Sequence, residues 1–242
     1  MAPQLRVHTL AERPDRLADI DRLSVQSWPR FLMNGVPGWD RLFGEFAHHQ
    51  VLLCDTADRL LAVGHLVPLV WDGSVADLPP TIEAILARSR EDGATAFSAL
   101  AAMVDPEQRG QGLSRAVLLA MKAVARRHGY AHLIAPVRPT WKARYPLAPM
   151  DRYVTWRRAD GDLLDPWLRV HQKLGAQGLA VAPSTLTVQG RVADWEAWTG
   201  LTFPETGPYV VPGALQPVHI DCERDTGRYE DPNYWMRHPV EA

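Results

Sequence analysis

The chain has 242 residues, of which 46% are hydrophobic and 22% charged, a composition that indicates a folded protein and excludes intrinsic disorder. The formal net charge of −2 provides no positive field to attract nucleic acid. No apolar stretch approaches the ~20 residues that cross a bilayer, and the N-terminus lacks the apolar core of a signal peptide, so we expect a cytoplasmic protein with no membrane partner.

Hydrophobic patterns predict the elements of the first part of the chain. Residues 5–9 alternate as a half-buried strand does, and residues 14–28 and 38–49 show helical spacing. Two apolar runs follow at 51–54 and 60–70, separated by a polar turn, which predicts an antiparallel hairpin. The expected order is therefore one strand, two helices and two strands.

The middle of the chain predicts a strand, a glycine-rich turn, a helix and a second strand. Residues 81–90 are amphipathic, and residues 94–104 form a strand of small residues. Residues 112–128 place apolar side chains on one helical face and end at Gly129, as a helix does. Residues 132–136 supply the next strand.

The remaining residues predict a long loop and few regular elements. Residues 137–164 form a connection of roughly 28 residues, long enough to act as a lid or substrate-binding segment. Asp165 and Pro166 can begin a helix, and residues 179–188 and 217–220 are the last candidate strands.

One domain spans residues 1–242 in this interpretation. Its core covers about residues 1–190, and an aromatic, proline-rich extension covers about residues 191–242. The extension is too aromatic to be a disordered appendage.

The histidines and cysteines show no metal-binding pattern. The two cysteines lie far apart in the sequence. His48 and His49 are neighbours that we expect to point in different directions, and His128 and His132 lack the spacing of a zinc site on a helix. We therefore predict no metal.

A glycine-rich stretch joins the strand 94–104 to the helix 112–128. It consists of Arg109, Gly110, Gln111, Gly112, Leu113 and Ser114. Backbone N–H groups at a helix N-terminus, with glycines that allow close approach, form a cradle for a phosphate or pyrophosphate. A P-loop would require GxxxxGK[ST], and a dinucleotide-binding turn would require a third glycine where Arg115 stands, so both are excluded.

The stretch resembles the [QR]xxGx[GA] pyrophosphate motif of the GNAT superfamily of acyltransferases, and the element order resembles that family over about residues 1–190. The resemblance implies an α+β fold, an α/β/α sandwich around a mixed, mostly antiparallel twisted sheet whose fourth and fifth strands splay apart. It also implies acetyl-CoA or coenzyme A as co-substrate, with the pyrophosphate on the N–H groups of Arg109 to Ser114. The pantetheine would then follow the strand that contains Met103 and Val104.

Two residues are candidates for catalysis by resemblance. His171 occupies the position at which the family often has a tyrosine that protonates the departing thiolate. The segment DPWLRVHQKLGA also resembles the GNAT-like loading domains of polyketide synthases, which decarboxylate malonyl thioesters with a histidine and a threonine. The comparable threonine here is Thr140. Neutral imidazole can serve either chemistry.

The leading hypothesis is an N-acyltransferase that moves an acyl group from acetyl-CoA to the amine of a small-molecule acceptor by direct attack. The alternatives are a malonyl-thioester decarboxylase and S-acyltransferase with a carrier-protein thiol as acceptor, or a non-catalytic acyl-CoA-binding module. The long loop is cationic and aromatic, so its residues either bind an anionic acceptor or fasten the loop to the core. The candidates for acceptor binding are Arg138, Trp141, Tyr153 and Trp156. The resemblance also allows a homodimer through exchanged C-terminal strands.

Overall fold

The fold is built on one nine-stranded sheet. The structure is a computed structural model that describes residues 4–240. The strand order is β1-β2-β3-β4-β5-β9-β8-β7, and β6 pairs with β9 outside that path. The strands are β1 (Arg6–Thr9), β2 (Val51–Cys54), β3 (Leu60–Leu69), β4 (Ala96–Val104), β5 (His132–Val137), β6 (Gln177–Gly190), β7 (Gly207–Tyr209), β8 (Val218–Asp221) and β9 (Thr226–Pro239).

Six α-helices accompany the sheet in the described part of the chain. They are α1 (Leu17–Ser27), α2 (Ile82–Arg88), α3 (Leu113–Arg127), α4 (Met150–Tyr153), α5 (Pro166–Lys173) and α6 (Val192–Thr199). Across residues 4–240, none of the helices has the length and apolar character that a membrane span requires.

Helices cover both faces of the sheet. Adjacent residues of a strand point to opposite faces, so apolar neighbours in one strand pack against different helices. Leu53 joins the core cluster that contains the apolar face of α3. Its neighbour Leu52 joins a different cluster, together with Ile20 and Leu23 of α1. The sheet therefore lies between α1 on one face and α3 on the other, with α5 packed beside α3.

The mixed sheet and its flanking helices confirm the predicted α+β sandwich. β4 and β5 run parallel, whereas every other neighbouring pair in the sheet is antiparallel. The strands and helices predicted between residues 51 and 136 are found within a few residues of the expected bounds. Their apolar patterns were clear because the strands are buried along most of their length and the helix α3 buries one continuous face.

The prediction of a helix at residues 38–49 is wrong. Only a single 3-10 turn forms there, at Trp39–Leu42, and the chain continues to residue 49 as a series of turns. Gly44 lies in the middle of the segment, and glycine disfavours a helix interior. The buried Gln50 side chain also donates to the carbonyl oxygens of Phe46 and Leu66, which fixes the turns against β3.

The C-terminal residues supply the middle of the sheet, which the sequence did not predict. β9 pairs with β5 on one side and with β6 on the other. The helix α6 and the strands β7 and β9 were all missed. The Asp231-Pro232-Asn233 triplet inside β9 resembles a turn in sequence, yet it lies in a strand beside irregular pairing with β6. Residues 191–240 are therefore integral to the sheet.

Candidate active site

The glycine-rich stretch forms an open cradle of backbone N–H groups at the start of α3. Gly110 and Gly112 have φ angles of +82° and +79°, in the left-handed region that favours glycine. Gly112 is the N-cap of α3, and no side chain caps the helix. The N–H groups of Leu113, Ser114 and Arg115 consequently have no acceptor within the helix. The first turn also lacks an acidic side chain, so the positive end of the helix dipole is free for an anion.

The cradle lies at the end of β4, where β4 and β5 separate. The two strands pair over three positions only, from Ala96 opposite His132 to Ser98 opposite Ile134. Beyond Ser98, β4 remains paired with β3 and β5 remains paired with β9. A wedge-shaped gap therefore opens between the rest of β4 and the end of β5, and its wide end faces the glycine-rich stretch.

A β-bulge marks the narrow end of this gap. In the pairing of β3 with β4, His65 stands opposite Ala101 and Leu66 opposite Ala99, so Leu100 is the extra residue. A bulge bends its strand and turns one peptide unit away from the ladder. The bulge lies two residues after the last β4–β5 pair. The peptide unit that it turns away from β3 therefore lies at the base of the gap.

The structure places Met103 and Val104 on opposite sides of β4. Met103 is buried, and its sulfur accepts hydrogen bonds from the Ser24 hydroxyl and the Trp28 indole, at 3.4 and 3.3 Å. Val104 is half-buried and packs at the edge of the α3 core. The Met103 side chain is therefore engaged by Ser24 and Trp28.

His171 lies inside the fold and contacts a second histidine. The imidazole is 1% exposed, and its Nδ1 lies 2.8 Å from Nε2 of His238 on β9. Trp167 packs against it at a right angle, with ring centroids 4.3 Å apart. Burial holds the pKa of His171 well below its ordinary value, with a further contribution from His238, so the ring is neutral at pH 7. Its Nε2 is buried and has no hydrogen-bond partner among the described residues.

Thr140 is exposed at the start of the long loop, and no hydrogen bond joins it to His171 within residues 4–240. His238 was missed by the sequence analysis. It pairs across from Leu133 of β5, 67 positions from His171, and only the order of strands brings the two rings together.

Asp165 anchors the long loop to α5. One carboxylate oxygen accepts from the backbone N–H groups of Trp167 and Leu168, which caps the helix as predicted. The other oxygen accepts from the Trp141 backbone N–H at 2.7 Å and from the Tyr153 hydroxyl at 2.8 Å. Burial raises the pKa of Tyr153, and the adjacent carboxylate raises it further. The hydroxyl therefore stays protonated and fastens the loop.

Arg138 forms an ion pair with a buried carboxylate in the interior of β9. Its Nε lies 3.0 Å from Oδ1 of Asp231, and its Nη2 donates to the Gly213 carbonyl at 2.7 Å. Asp231 also accepts from the Tyr229 hydroxyl and from the Asn233 amide. Asp231, Tyr229 and Asn233 were missed because they lie in β9, which the sequence did not predict.

Lys142 makes a second connection between the loop and the C-terminal residues. Its side chain is buried, and Nζ donates to the carbonyl oxygens of Tyr145 and Leu215. Burial lowers its pKa to about 8. Trp141 and Trp156 remain half-buried, and the Arg144 guanidinium lies over the Trp141 ring at 4.4 Å. The loop thus has a buried, hydrogen-bonded underside and an aromatic and cationic outer side.

Comparisons with known proteins agree with this architecture. No family model matches the sequence. A curated protein, the arginine N-acetyltransferase avaD of Aspergillus versicolor, is 29% identical over 280 aligned positions that cover 99% of this chain and 96% of that protein. The alignment therefore spans both proteins almost completely.

Two solved structures share the fold over nearly the whole chain. The loading GNATL domain of CurA from Lyngbya majuscula has a TM-score of 0.64 at 18% identity, covering 98% of this chain and 97% of that domain. The GphF GNAT-like decarboxylase in complex with isobutyryl-CoA has a TM-score of 0.65 at 17% identity, covering 98% and 100%. Together with the mixed sheet and its splayed parallel pair, these likenesses establish that the chain has the GNAT acetyltransferase fold.

Proposed function

We propose that this chain is an acetyl-CoA-dependent N-acetyltransferase of GNAT type whose acceptor is the amine of arginine or a similar small molecule. The observation that carries the proposal is the amide cradle at Gly112, placed at the mouth of the gap between β4 and β5. The similarity to an arginine N-acetyltransferase over 99% of the chain supports the reaction class and suggests the acceptor.

The residues of the cradle fit a pyrophosphate. The free N–H groups of Leu113, Ser114 and Arg115 can donate to phosphate oxygens, and no neighbouring atom lies within 4 Å of where a Cβ would stand on Gly110 or Gly112. Open backbone at these glycines lets an anion approach closely. Acetyl-CoA bound there would direct its pantetheine into the gap, along the unpaired edge of β4, and its thioester toward the bulge at Leu100.

The reaction joins the acceptor nitrogen to the acetyl carbonyl carbon. The neutral amine attacks that carbon, the carbon–sulfur bond breaks, and the electron pair leaves with the thiolate. The nitrogen loses one proton and the thiolate gains one, so the products are an acetylated amine and free coenzyme A. A backbone N–H turned into the gap by the bulge would stabilise the developing charge on the carbonyl oxygen.

We assign proton transfer to His171, with His238 as its positioning residue. The hydrogen bond between Nδ1 of His171 and Nε2 of His238 fixes the orientation of the His171 ring and couples the tautomers of the two rings. The unpartnered Nε2 of His171 is then the atom that can exchange a proton. A buried polar atom without a partner is costly, which is expected where a site retains it for function. Thr140 remains a candidate for the decarboxylation alternative.

The acceptor site belongs to the long loop in this proposal. Arg138 and Tyr153 act by holding the loop in place, since their polar atoms are engaged with Asp231 and Asp165. Trp141 and Trp156 would contact the acceptor with their half-buried rings. A carboxylate on the acceptor suits the cationic outer side of the loop, and a guanidinium can pack on an indole face.

The test is thiol release from acetyl-CoA with and without L-arginine, with mass spectrometry of the products. We expect acetylated arginine and an equal amount of coenzyme A, and little release without an amine. His171→Ala should lower kcat by about 10²–10⁴-fold, whereas Gln172→Ala on the same helix should not. Conversion of malonyl-CoA to acetyl-CoA without an amine would favour the decarboxylase instead. Binding without turnover of either thioester, across a panel of amines, would favour a binding module.

A further inference from the structure

Two histidines and a glutamate meet at the far end of α3 from the cradle. Nε2 of His48 lies 3.0 Å and Nε2 of His49 lies 2.6 Å from the same Oε1 of Glu91. Each residue offers a ligand atom within 4.8 Å of the others. The expectation that the two histidines point in different directions is therefore wrong, because the turns that replace the predicted helix bring both rings to Glu91.

This cluster is separate from the proposed active site. His128, the C-cap of α3, packs edge-on against His49 with ring centroids 4.8 Å apart. Gly112 is the N-cap of the same helix, whose 15 residues span about 22 Å. The cluster and the cradle thus lie at opposite ends of α3.

We propose that His48, His49 and Glu91 bind a divalent transition-metal ion of the zinc type. Zinc takes imidazole nitrogen and carboxylate oxygen at about 2.0–2.2 Å, which puts the ligand atoms of a tetrahedral site about 3.3 Å apart. The two nitrogen-to-oxygen separations of 3.0 and 2.6 Å are shorter than that spacing, and all three ligand atoms lie within 4.8 Å of one another. Small side-chain movements would therefore admit the ion.

The surroundings of the cluster suit a metal site that is rigid on one side and open on the other. His49 is fully buried, and Phe46 and Phe97 pack on its ring, which holds its orientation. His48 and Glu91 have side chains that are 50% and 46% exposed, so an ion can enter from solvent and keep a water ligand. Two imidazoles and one carboxylate favour zinc, cobalt or nickel over the oxygen-preferring magnesium and calcium.

A bound ion would tie two segments together. His48 and His49 end the series of turns before β2, and Glu91 lies in the connection between α2 and β4. An ion that binds only the folded chain stabilises it in proportion to ion concentration. With the ion at about a hundred times its dissociation constant, we expect the thermal midpoint to rise by about 5–10 °C.

The experiment titrates the chelator-treated full chain with Co²⁺ and then Zn²⁺. Visible absorption reports Co²⁺ coordination, and displacement by Zn²⁺ reports relative affinity. The variants are His48→Ala and Glu91→Gln, whose side chains are both partly exposed, so that the fold is retained. His219→Ala, at an exposed histidine on β8, is the matched control. Circular dichroism checks that each variant is folded.

We expect one ion per chain, with affinity reduced at least tenfold in His48→Ala and in Glu91→Gln and unchanged in His219→Ala. Absence of saturable one-to-one binding would overturn the proposal. Binding that survives both substitutions would overturn it as well. Neither result bears on acetyl transfer, because the readout is metal coordination.

Discussion

The first turn of α3 offers a substitution that should change stability and coenzyme A binding in opposite directions. Ser114 is the second residue of the helix, and the first turn has no acidic side chain. Ser114→Asp puts a carboxylate beside free backbone N–H groups, so we expect the free energy of unfolding to rise by about 0.3–1 kcal/mol. The same carboxylate would repel a pyrophosphate bound at those groups.

Coulomb's law gives the scale of this repulsion. Two unit charges 4 Å apart interact by about 1 kcal/mol in water and by about 4 kcal/mol at the effective dielectric of a protein surface. Each 1.4 kcal/mol corresponds to about tenfold in an equilibrium constant. The dissociation constant of coenzyme A should therefore rise at least about fivefold, and by as much as several hundredfold.

Calorimetric titration with coenzyme A and urea unfolding of the same preparations measure the two effects. Ser114→Asn is the matched control, because it has the size of the aspartate variant without its charge, and it should leave coenzyme A binding nearly unchanged. If the aspartate variant binds coenzyme A as tightly as the wild type, the cradle does not hold the pyrophosphate. If both variants weaken binding equally, side-chain size and not charge repulsion is the cause.

Three further predictions concern stability. Asp165→Ala removes a helix cap and leaves buried donors unpaired, so the free energy of unfolding in urea should fall by about 2–4 kcal/mol; no change would mean that the loop is fastened elsewhere. Arg138→Met leaves Asp231 buried without its cation and should cost about 3–5 kcal/mol, part of which Arg138→Met combined with Asp231→Leu should recover; a single variant as stable as the wild type would refute this. Burial lowers the pKa of His65 and of His238 to about 4, below the ordinary value of 6.5. Between pH 4 and pH 6.5 the unfolded chain therefore binds more protons than the folded chain. The free energy of unfolding should keep its full value above about pH 6.5 and fall as the pH drops toward 4, by up to about 3 kcal/mol for each ring. A free energy of unfolding in urea that does not change over this pH range would contradict the prediction.

Local chemistry made the glycine-rich turn and the helix that follows it predictable. Gly112 and the apolar face of α3 are encoded within 16 consecutive residues, and the flanking strands β4 and β5 each have a distinct apolar pattern. Their parallel pairing and early separation follow from the resemblance rather than from the pattern itself. The helix cap at Asp165 was equally predictable, because its carboxylate accepts hydrogen bonds from residues only two and three positions further along the chain.

Long-range contacts explain what the sequence did not predict. Arg138 meets Asp231 across 93 positions, and His171 meets His238 across 67. Both partners lie in β9, whose internal proline concealed the strand. Glu91 meets the two histidines only because the segment before β2 forms turns instead of a helix. No spacing rule reports such contacts, since they depend on the assembled sheet.

Coenzyme A binding tests the central claim most directly, because it requires no knowledge of the acceptor. The measurement is a calorimetric titration of the wild-type chain with coenzyme A up to millimolar concentration. The amide cradle and the gap between β4 and β5 predict one saturable site per chain, weakened by Ser114→Asp. The absence of any binding heat at millimolar ligand, with the chain folded, would contradict an acyl-CoA-dependent function.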